Sequence, residues 1–191
     1  MRPKPPGRLI ILSGPRGAGK TTLLQKTLSR LRLESVDIAG ILSLPVEEKG
    51  QKSAIDGLDL RSGERRRLAI RNTTGKGALS TDNWVFDADA MQWADEILAK
   101  STPCDLLVVD ELGVLEFERS QGWLSGLKTL DERQYLTAIV VIRPELLTRA
   151  RERWEESEVV EVTPATRSSA FERLVNLTIR FLRTSKSVVK G

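Results

Sequence analysis

Histidine is absent from this chain of 191 residues, and cysteine occurs once, as Cys104. The absence of histidine excludes histidine general bases and histidine-ligated metal sites, so any metal would be a hard cation held by oxygen ligands. A single cysteine excludes an internal disulfide and fits a reducing compartment. The net charge of +4 suits anionic ligands but is not the concentrated charge of a dedicated nucleic-acid binder.

Long apolar runs are also missing. The basic N-terminal segment contains only Leu9–Leu12 as an apolar run, which is too short for the core of a signal peptide. No stretch is long enough to span a bilayer. We therefore expect a cytoplasmic protein with no membrane partner. Its length, without a recognisable linker, predicts a single domain over residues 1–191 that ends in a loose tail at about 184–191.

Short apolar runs alternate with segments of helical periodicity along the chain. The predicted strands are 8–13, 36–44 (stopped by Pro45), 106–109, 135–142 and 158–162. The predicted helices run from Gly19 to about Leu33, from Asp87 to about Lys100, over 120–132, from Pro144 to about Glu155, and over 171–181. This alternation predicts an α/β fold with a largely parallel sheet covered by helices on both faces. A β-hairpin over about 53–70, with Ser62 and Gly63 at its tip, makes the sheet mixed or adds a flap to its edge.

The segment between the first strand and the first helix reads GPRGAGKT over residues 14–21, which matches G-x-x-x-x-G-K-[ST] at every fixed position. In such a phosphate loop, backbone N–H groups surround a phosphate, and glycine allows the close approach. Lys20 would reach the β- and γ-phosphates, and the Thr21 hydroxyl would bind Mg²⁺. The predicted nucleotide contacts are Gly14, Pro15, Arg16, Gly17, Ala18, Gly19, Lys20, Thr21 and Thr22.

A second set of candidates follows the strand LLVV, where Asp110 and Glu111 occur in succession. Ligands bind at the carboxyl ends of strands in open α/β sheets, so Asp110 is expected to hold Mg²⁺ through water. Glu111 would orient and help to deprotonate a water that attacks the γ-phosphate. Glu116 and Glu118 are weaker candidates for that role, and a solvated edge is the alternative interpretation for them.

Five arginines cluster on the predicted hairpin: Arg61, Arg65, Arg66, Arg67 and Arg71. One of them could neutralise charge in a transition state, or the cluster could bind RNA or an acidic protein. For any single arginine, a solvated hairpin face is the preferred interpretation. Arg16, inside the phosphate loop, is the better candidate for contact with phosphate or with a neighbouring carboxylate.

Four segments occur in a recognisable order: GPRGAGKTTLLQKTLSRL, AGILSLPVEEKGQKSAIDGLDLRSGERRRLA, LLVVDELGVLEF and VTPATRSSAFERL. Together they resemble the nucleoside-triphosphatase family of the thermophilic NTPase type, which includes the cancer-related nucleoside triphosphatases of animals. The resemblance extends from about Arg8 to Leu182. Its most discriminating part is the hairpin that ends in GLDLRSGERRRLA, because the phosphate loop alone is shared by many families.

The resemblance implies a three-layer phosphate-loop NTPase fold with a RecA-like, mostly parallel mixed sheet and a β-hairpin insertion. It implies slow, Mg²⁺-dependent hydrolysis of several nucleoside triphosphates to diphosphates. The phosphate and metal roles fall on Lys20 and Thr21, and the metal and water roles fall on Asp110 and Glu111. Glu116 matches a second glutamate of the family.

The chain departs from the family at two positions. The family usually has Asn-Arg near its C-terminal helix, close to the base, whereas this chain has Thr166-Arg167. Arg167 matches, and it is predicted to stack on or hydrogen-bond to the purine. Arg143 stands where many members carry a histidine, and it could sense the γ-phosphate or pair with a surface carboxylate.

Hydrolysis is therefore the predicted function, with a nucleoside triphosphate as substrate, Mg²⁺ as cofactor and a monomeric state. Two alternatives stay open. A small-molecule or nucleotide kinase would share the phosphate loop and the arginines. A nucleotide-dependent switch or adaptor would bind RNA or a protein through the basic hairpin.

Overall fold

The computed structural model describes residues 6–32, 35–73 and 79–189. Its strands are β1 (Arg8–Ser13), β2 (Ile38–Glu48), β3 (Gln51–Asp59), β4 (Arg65–Arg71), β5 (Trp84–Phe86), β6 (Cys104–Leu112), β7 (Tyr135–Ile142) and β8 (Glu158–Glu161). Its helices are α1 (Lys20–Leu31), α2 (Ala88–Ala99), α3 (Val114–Glu118), α4 (Leu124–Glu132), α5 (Leu147–Arg153) and α6 (Arg167–Val189). The 3-10 turn Pro144–Leu146 precedes α5.

One sheet with the strand order β5-β4-β3-β2-β6-β7-β1-β8 unites these strands. The pairs β2·β6, β6·β7, β7·β1 and β1·β8 are parallel, and the pairs β2·β3, β3·β4 and β4·β5 are antiparallel. The strand β7 therefore lies between β1, which leads into the phosphate loop, and β6, which carries the consecutive carboxylates Asp110 and Glu111 near its end. This order brings the carboxyl ends of β1 and β6 to the same edge of the sheet.

The sheet separates two apolar cores. One core lies against α2, α4 and α5 and contains Leu98, Leu127 and Trp154. The other lies against α1 and α6 and contains Leu24 and Leu174. Because both faces of the central strands are covered, β7 is buried along its whole length. These features confirm the predicted three-layer α/β fold with a mostly parallel mixed sheet and a hairpin.

Pro45 does not stop the second strand, which was predicted to end there. The strand β2 continues to Glu48 and pairs with β3 throughout this extension, including the pair Pro45↔Ile55. Parallel pairing with β6 covers only Ile38–Ile41, so one side of β2 has no strand neighbour at the proline. A proline is tolerated on such an open edge because its missing N–H is not required there.

Other differences concern short or terminal segments. The strand β5 and the helix α3 were not predicted, and α4 begins at Leu124 rather than at residue 120. Arg167 starts α6, which continues to Val189, so most of the predicted loose tail is helical. Leu33, where the first helix was expected to end, and residues 190–191 lie outside the described residues.

The predicted cap of the second helix is present: the carboxylate of Asp87 accepts a hydrogen bond from the N–H of Ala90. Across the ranges given above, no helix combines the length and the apolar character needed to cross a membrane.

Candidate active site

The phosphate loop connects β1 to α1 at the carboxyl edge of the sheet. Gly19, the residue before α1, has a φ of 95°, in the left-handed region that favours glycine. At Gly14, a Cβ atom would lie 2.1 Å from the carbonyl oxygen of Val162, so no larger residue fits. The loop thus passes close to the chain after β8 before it turns into the helix.

Lys20 and Thr22 lie in the first turn of α1. The ammonium of Lys20 donates hydrogen bonds to the carbonyl oxygens of Gly14, at 2.6 Å, and Pro15, at 3.2 Å. Burial lowers the pKa of Lys20, and the charges of Glu111 and Asp110 act in the opposite direction. The lysine therefore lies over the loop, in the electrostatic field of both carboxylates. Thr22 is exposed.

Arg167 forms two hydrogen bonds to carbonyl oxygens of the phosphate loop. Its Nε donates to the carbonyl oxygen of Ala18 at 2.8 Å, and its Nη2 donates to that of Gly17 at 3.0 Å. The neighbouring Thr166 bonds instead to Thr163, whose N–H donates to the Thr166 hydroxyl at 3.0 Å. The guanidinium is thus bound to the loop backbone, while its predicted contact with a base stays a prediction.

Thr21 and Asp110, which are distant in sequence, meet where the loop faces the end of β6. The Thr21 hydroxyl donates to the Asp110 carboxylate at 3.1 Å. The N–H of Ser43 on β2 donates to the same carboxylate oxygen at 3.2 Å, and the Ser43 hydroxyl bonds to the Asp110 carbonyl. Three elements, α1, β2 and β6, therefore fix the position of this carboxylate.

Asp110 is only 2% exposed. Burial, and to a lesser extent the charge of Glu111, raises its pKa to about 7. Hydrogen bonds from Ser43 and Thr21 and the charge of Lys52 oppose this rise. A buried carboxylate that accepts two hydrogen bonds but has no ion-pair partner within salt-bridge distance, among the described residues, favours a cationic ligand.

Glu111 is partly buried and pairs with Arg143. The Nε of Arg143 lies 2.5 Å from the Glu111 carboxylate, and the side chains of Arg143 and Glu111 are 35% and 25% exposed, respectively. Since Arg143 directly follows β7, between β1 and β6, the pair lies at the centre of the carboxyl edge. Arg143 therefore contacts a carboxylate of the candidate site and not one on the outer surface.

Glu116 holds the segment around α3 together through backbone hydrogen bonds. Its carboxylate accepts hydrogen bonds from the N–H groups of Gly113, at 2.8 Å, and Trp123, at 2.9 Å. It thereby caps α3 and ties that short helix to the start of α4, and burial raises its pKa. Glu118 is exposed and pairs with Arg149 at 2.8 Å. Neither carboxylate forms a hydrogen bond or an ion pair with Thr21, Asp110 or Glu111 in the described part of the chain, although the charge of Glu111 adds to the rise in the pKa of Glu116.

Three of the five hairpin arginines form ion pairs with carboxylates outside the candidate site. Arg61 pairs with Asp37 at 2.8 Å, Arg66 with Glu64 at 2.8 Å, and Arg67 with Asp56. Arg65 and Arg71 are exposed and form no ion pair within the described ranges. The hairpin surface is therefore basic, but three of its five arginines are paired with carboxylates. Arg16 is exposed on the loop.

Sequence reasoning missed two residues at this edge, Ser43 and Lys52. Lys52 lies on β3, and its electrostatic neighbours include Asp110 and Glu111. Neither residue belongs to a motif, and both are placed by the long β2–β3 hairpin. The polar turn EEKGQK was the available signal, because a hairpin there carries Lys52 to the carboxyl edge.

Comparison with known proteins gives a family. The model of a family described as NTPase matches residues 9–175, which is most of the chain. Nucleoside-triphosphatase THEP1 of Pyrobaculum aerophilum is 35% identical over 109 residues, which cover 57% of this chain and 60% of that protein. The matched part thus spans less than two thirds of that relative. The THEP1 protein of Methanopyrus kandleri is 24% identical over 177 residues, covering 91% and 96% of the two chains.

A solved structure has a similar fold. The solution structure of a human cancer-related nucleoside triphosphatase superposes with a TM-score of 0.71 at 25% sequence identity. The superposition covers 90% of this chain and 97% of the human chain. The two proteins therefore share their fold over most of both chains.

Proposed function

The chain belongs to the NTPase family, and we propose that it hydrolyses nucleoside triphosphates to diphosphates and phosphate with water as the acceptor. The observation that carries this proposal is the meeting of Thr21, Asp110 and Glu111 beside the phosphate loop. A triphosphate bound in the loop would have its γ-phosphate next to the paired carboxylates, where a water can be oriented. The names of the relatives support the same reaction.

We propose Mg²⁺ as the cofactor. The donor set fits this ion, because Thr21 and Asp110 offer oxygen atoms only, 3.1 Å apart. The described residues contain no group of three or more His, Cys, Asp or Glu side chains able to hold a metal by themselves. A site completed by phosphate and water oxygens is typical of Mg²⁺, which keeps several waters. When bound, this ion would neutralise charge on the β- and γ-phosphates.

The residues of the chain would divide the work as follows. Lys20 would leave the loop carbonyls and bind the β- and γ-phosphates, since phosphate oxygens are the stronger acceptors. Asp110, fixed by Thr21 and Ser43, would hold the metal side of the site. Glu111 would orient the attacking water and accept its proton, and Arg143 would hold the Glu111 carboxylate in position.

Phosphate release tests this proposal directly. Release from ATP, GTP, CTP and UTP is measured with Mg²⁺ and without an acceptor, for the wild type, Lys20→Ala, Glu111→Gln and the exposed control Glu152→Gln. We expect slow release from all four nucleotides. Lys20→Ala should lose binding and turnover, whereas Glu111→Gln should keep binding and lose about 10²–10⁴-fold in turnover. The control should match the wild type.

The same assay separates hydrolysis from the kinase alternative. A hydrolase releases phosphate at an unchanged rate when nucleoside monophosphates or small hydroxyl-bearing acceptors are added. A kinase instead forms a phosphorylated acceptor and releases little phosphate without it. If Glu111→Gln hydrolyses triphosphate at the wild-type rate, the water-positioning role of Glu111 is wrong.

A further inference from the structure

The β2–β3 hairpin extends beyond the parallel part of the sheet at its carboxyl edge. The last parallel pair between β2 and β6 is Ile41↔Val109, immediately before Asp110. From there β2 continues to Glu48, and β3 returns alongside it with Lys52 opposite Glu47. The hairpin therefore continues beyond the level of Asp110, and Lys52 lies on this continuation.

The ammonium of Lys52 is held without being neutralised. Its Nζ lies 5.0 Å from the centroid of the Trp84 ring, a cation–π distance. Trp84 is itself only 5% exposed, so the ring over which the ammonium lies is held in place by its surroundings. Among the described residues, no carboxylate lies within ion-pair distance of Lys52.

The electrostatic neighbours of Lys52 are those of the candidate site. Asp110 and Glu111 attract its charge, while Arg16 on the phosphate loop and Arg143 repel it. Lys52 is exposed as a residue, yet desolvation of its amino group lowers its pKa. The charge of Lys52 is therefore close enough to Asp110, Glu111, Arg16 and Arg143 to interact with all four.

We propose that Lys52 is a catalytic residue that contacts the γ-phosphate and stabilises the negative charge on its oxygens as the bond to the β-phosphate breaks. This inference rests on the proposed hydrolase function. Two of the other cations near the site are already bonded, Lys20 to the carbonyl of Gly14 and Arg143 to Glu111, while Arg16 is exposed on the loop. Lys52 would approach from the hairpin side, opposite the phosphate loop.

The reaction needs such a second cation. Phosphoryl transfer distributes charge over the equatorial oxygens of the γ-phosphate, and fixed positive groups around them lower the barrier. A cation held on an aromatic ring is already oriented and needs no reorganisation when the charge develops. Lys52 should therefore bind the transition state more strongly than the bound triphosphate, and its loss should lower kcat more than it raises KM.

Three variants test the proposal. Lys52→Met removes the charge but keeps an unbranched side chain of similar length, and Lys52→Arg keeps the charge. Lys26→Met removes an exposed lysine from α1 and is the matched control. Each is assayed for phosphate release and for binding of two Mg²⁺ complexes: a non-hydrolysable ATP analogue, and ADP with aluminium fluoride. Thermal unfolding confirms that each variant is folded.

We expect Lys52→Met to lower kcat by about 10²-fold and to lose affinity for ADP with aluminium fluoride by a comparable factor. Binding of the ATP analogue should change much less. Lys52→Arg should recover most of the rate, and Lys26→Met should behave like the wild type.

Two results would overturn the inference about Lys52 without affecting the proposed hydrolase function. In one, Lys52→Met turns over at the wild-type rate while Glu111→Gln is inactive. In the other, it loses affinity for the ATP analogue as strongly as it loses turnover, which would make Lys52 a ground-state contact. A wild-type protein that releases no phosphate overturns the proposed function, and this inference with it.

Discussion

Arg143 and Glu111 form an ion pair of 2.5 Å at the centre of the carboxyl edge, between the phosphate loop and the end of β6. Arg143 directly follows β7, the strand that separates β1 from β6. The pair therefore couples two neighbouring strand ends and restricts the rotamers of the carboxylate proposed to orient water. A guanidinium held in this way acts on the reaction through Glu111.

Arg143→Ala should lower kcat by roughly 10–100-fold, because Glu111 loses its orienting partner. The dissociation constants of the ATP analogue and of ADP should stay close to those of the wild type. Arg149→Ala is the matched control, since Arg149 pairs with the exposed Glu118 instead.

The double variant Arg143→Ala, Glu111→Gln distinguishes this role from sensing of the γ-phosphate. If Arg143 acts only through Glu111, the double variant should be as slow as Glu111→Gln alone. A selective loss of affinity for the triphosphate analogue in Arg143→Ala, with ADP binding unchanged, would instead indicate direct contact with the γ-phosphate.

Arg167→Ala should weaken the binding of ATP, GTP, CTP and UTP by the same factor, about tenfold. The reason is that Arg167 bonds to the carbonyls of Gly17 and Ala18, in the loop that binds the phosphates common to all four. The measurement is a fluorescence or calorimetric titration with each nucleotide. Arg173→Ala, an exposed arginine on the same helix with a long 3.8 Å ion pair, is the control. A loss confined to purine nucleotides would favour the base contact implied by the family resemblance.

The central part of the fold could be predicted because local sequence determines it. The buried runs that became β1, β6 and β7 are continuous and apolar, and the glycine-rich loop has a motif with fixed spacing. Pro45 was misinterpreted because its effect depends on whether the strand has a neighbour on that side, which is a property of the sheet. The helix α3 was missed because the buried carboxylate of Glu116 joins it to Trp123 outside the helix, and five residues carry too little periodicity to reveal it.

The same distinction applies to the candidate site. Lys20, Thr21, Asp110 and Glu111 belong to motifs, so their types and spacing were sufficient to propose them. Ser43 and Lys52 belong to none, and a register between two strands and a bulge near Glu47 decide where they lie. Arg143 was recognised, but its partner depends on the order of the strands, which periodicity alone does not specify.

Glu116→Ala should lower the free energy of unfolding by about 1–3 kcal/mol, because two N–H groups that bond to this carboxylate would lose their acceptor. Urea unfolding of the nucleotide-free protein measures the change. Glu118→Ala, on the same helix but exposed, should cost less than about 1 kcal/mol. Equal stabilities for the two variants, with a specific loss of turnover in Glu116→Ala, would assign Glu116 to the chemistry rather than to the fold.

Asp110 should make the nucleotide-free protein less stable as the pH rises from about 4 to about 7. Its pKa is raised from 3.8 to about 7 in the folded state, by burial first and by the charge of Glu111 second. Between these two pKa values the folded chain retains a proton on Asp110 that the unfolded chain has released. The stabilisation from this proton is therefore complete below pH 3.8 and is lost as the pH rises through about 7. The resulting loss in the free energy of unfolding is at most about 4 kcal/mol. The charge of Lys52 lowers the pKa of Asp110 and therefore makes this loss smaller.

Asp110→Asn should remove this dependence. The variant should be more stable than the wild type at pH 8 and close to it at pH 4, although it should not support hydrolysis. Urea unfolding at both pH values, with a chelator and without nucleotide, measures the effect. Asp82→Asn, an exposed aspartate outside the site, should preserve the wild-type pH profile. Identical profiles for the wild type and Asp110→Asn would mean that Asp110 is ionised in the folded protein throughout this range, and that Lys52 and the two hydrogen bonds compensate for its burial.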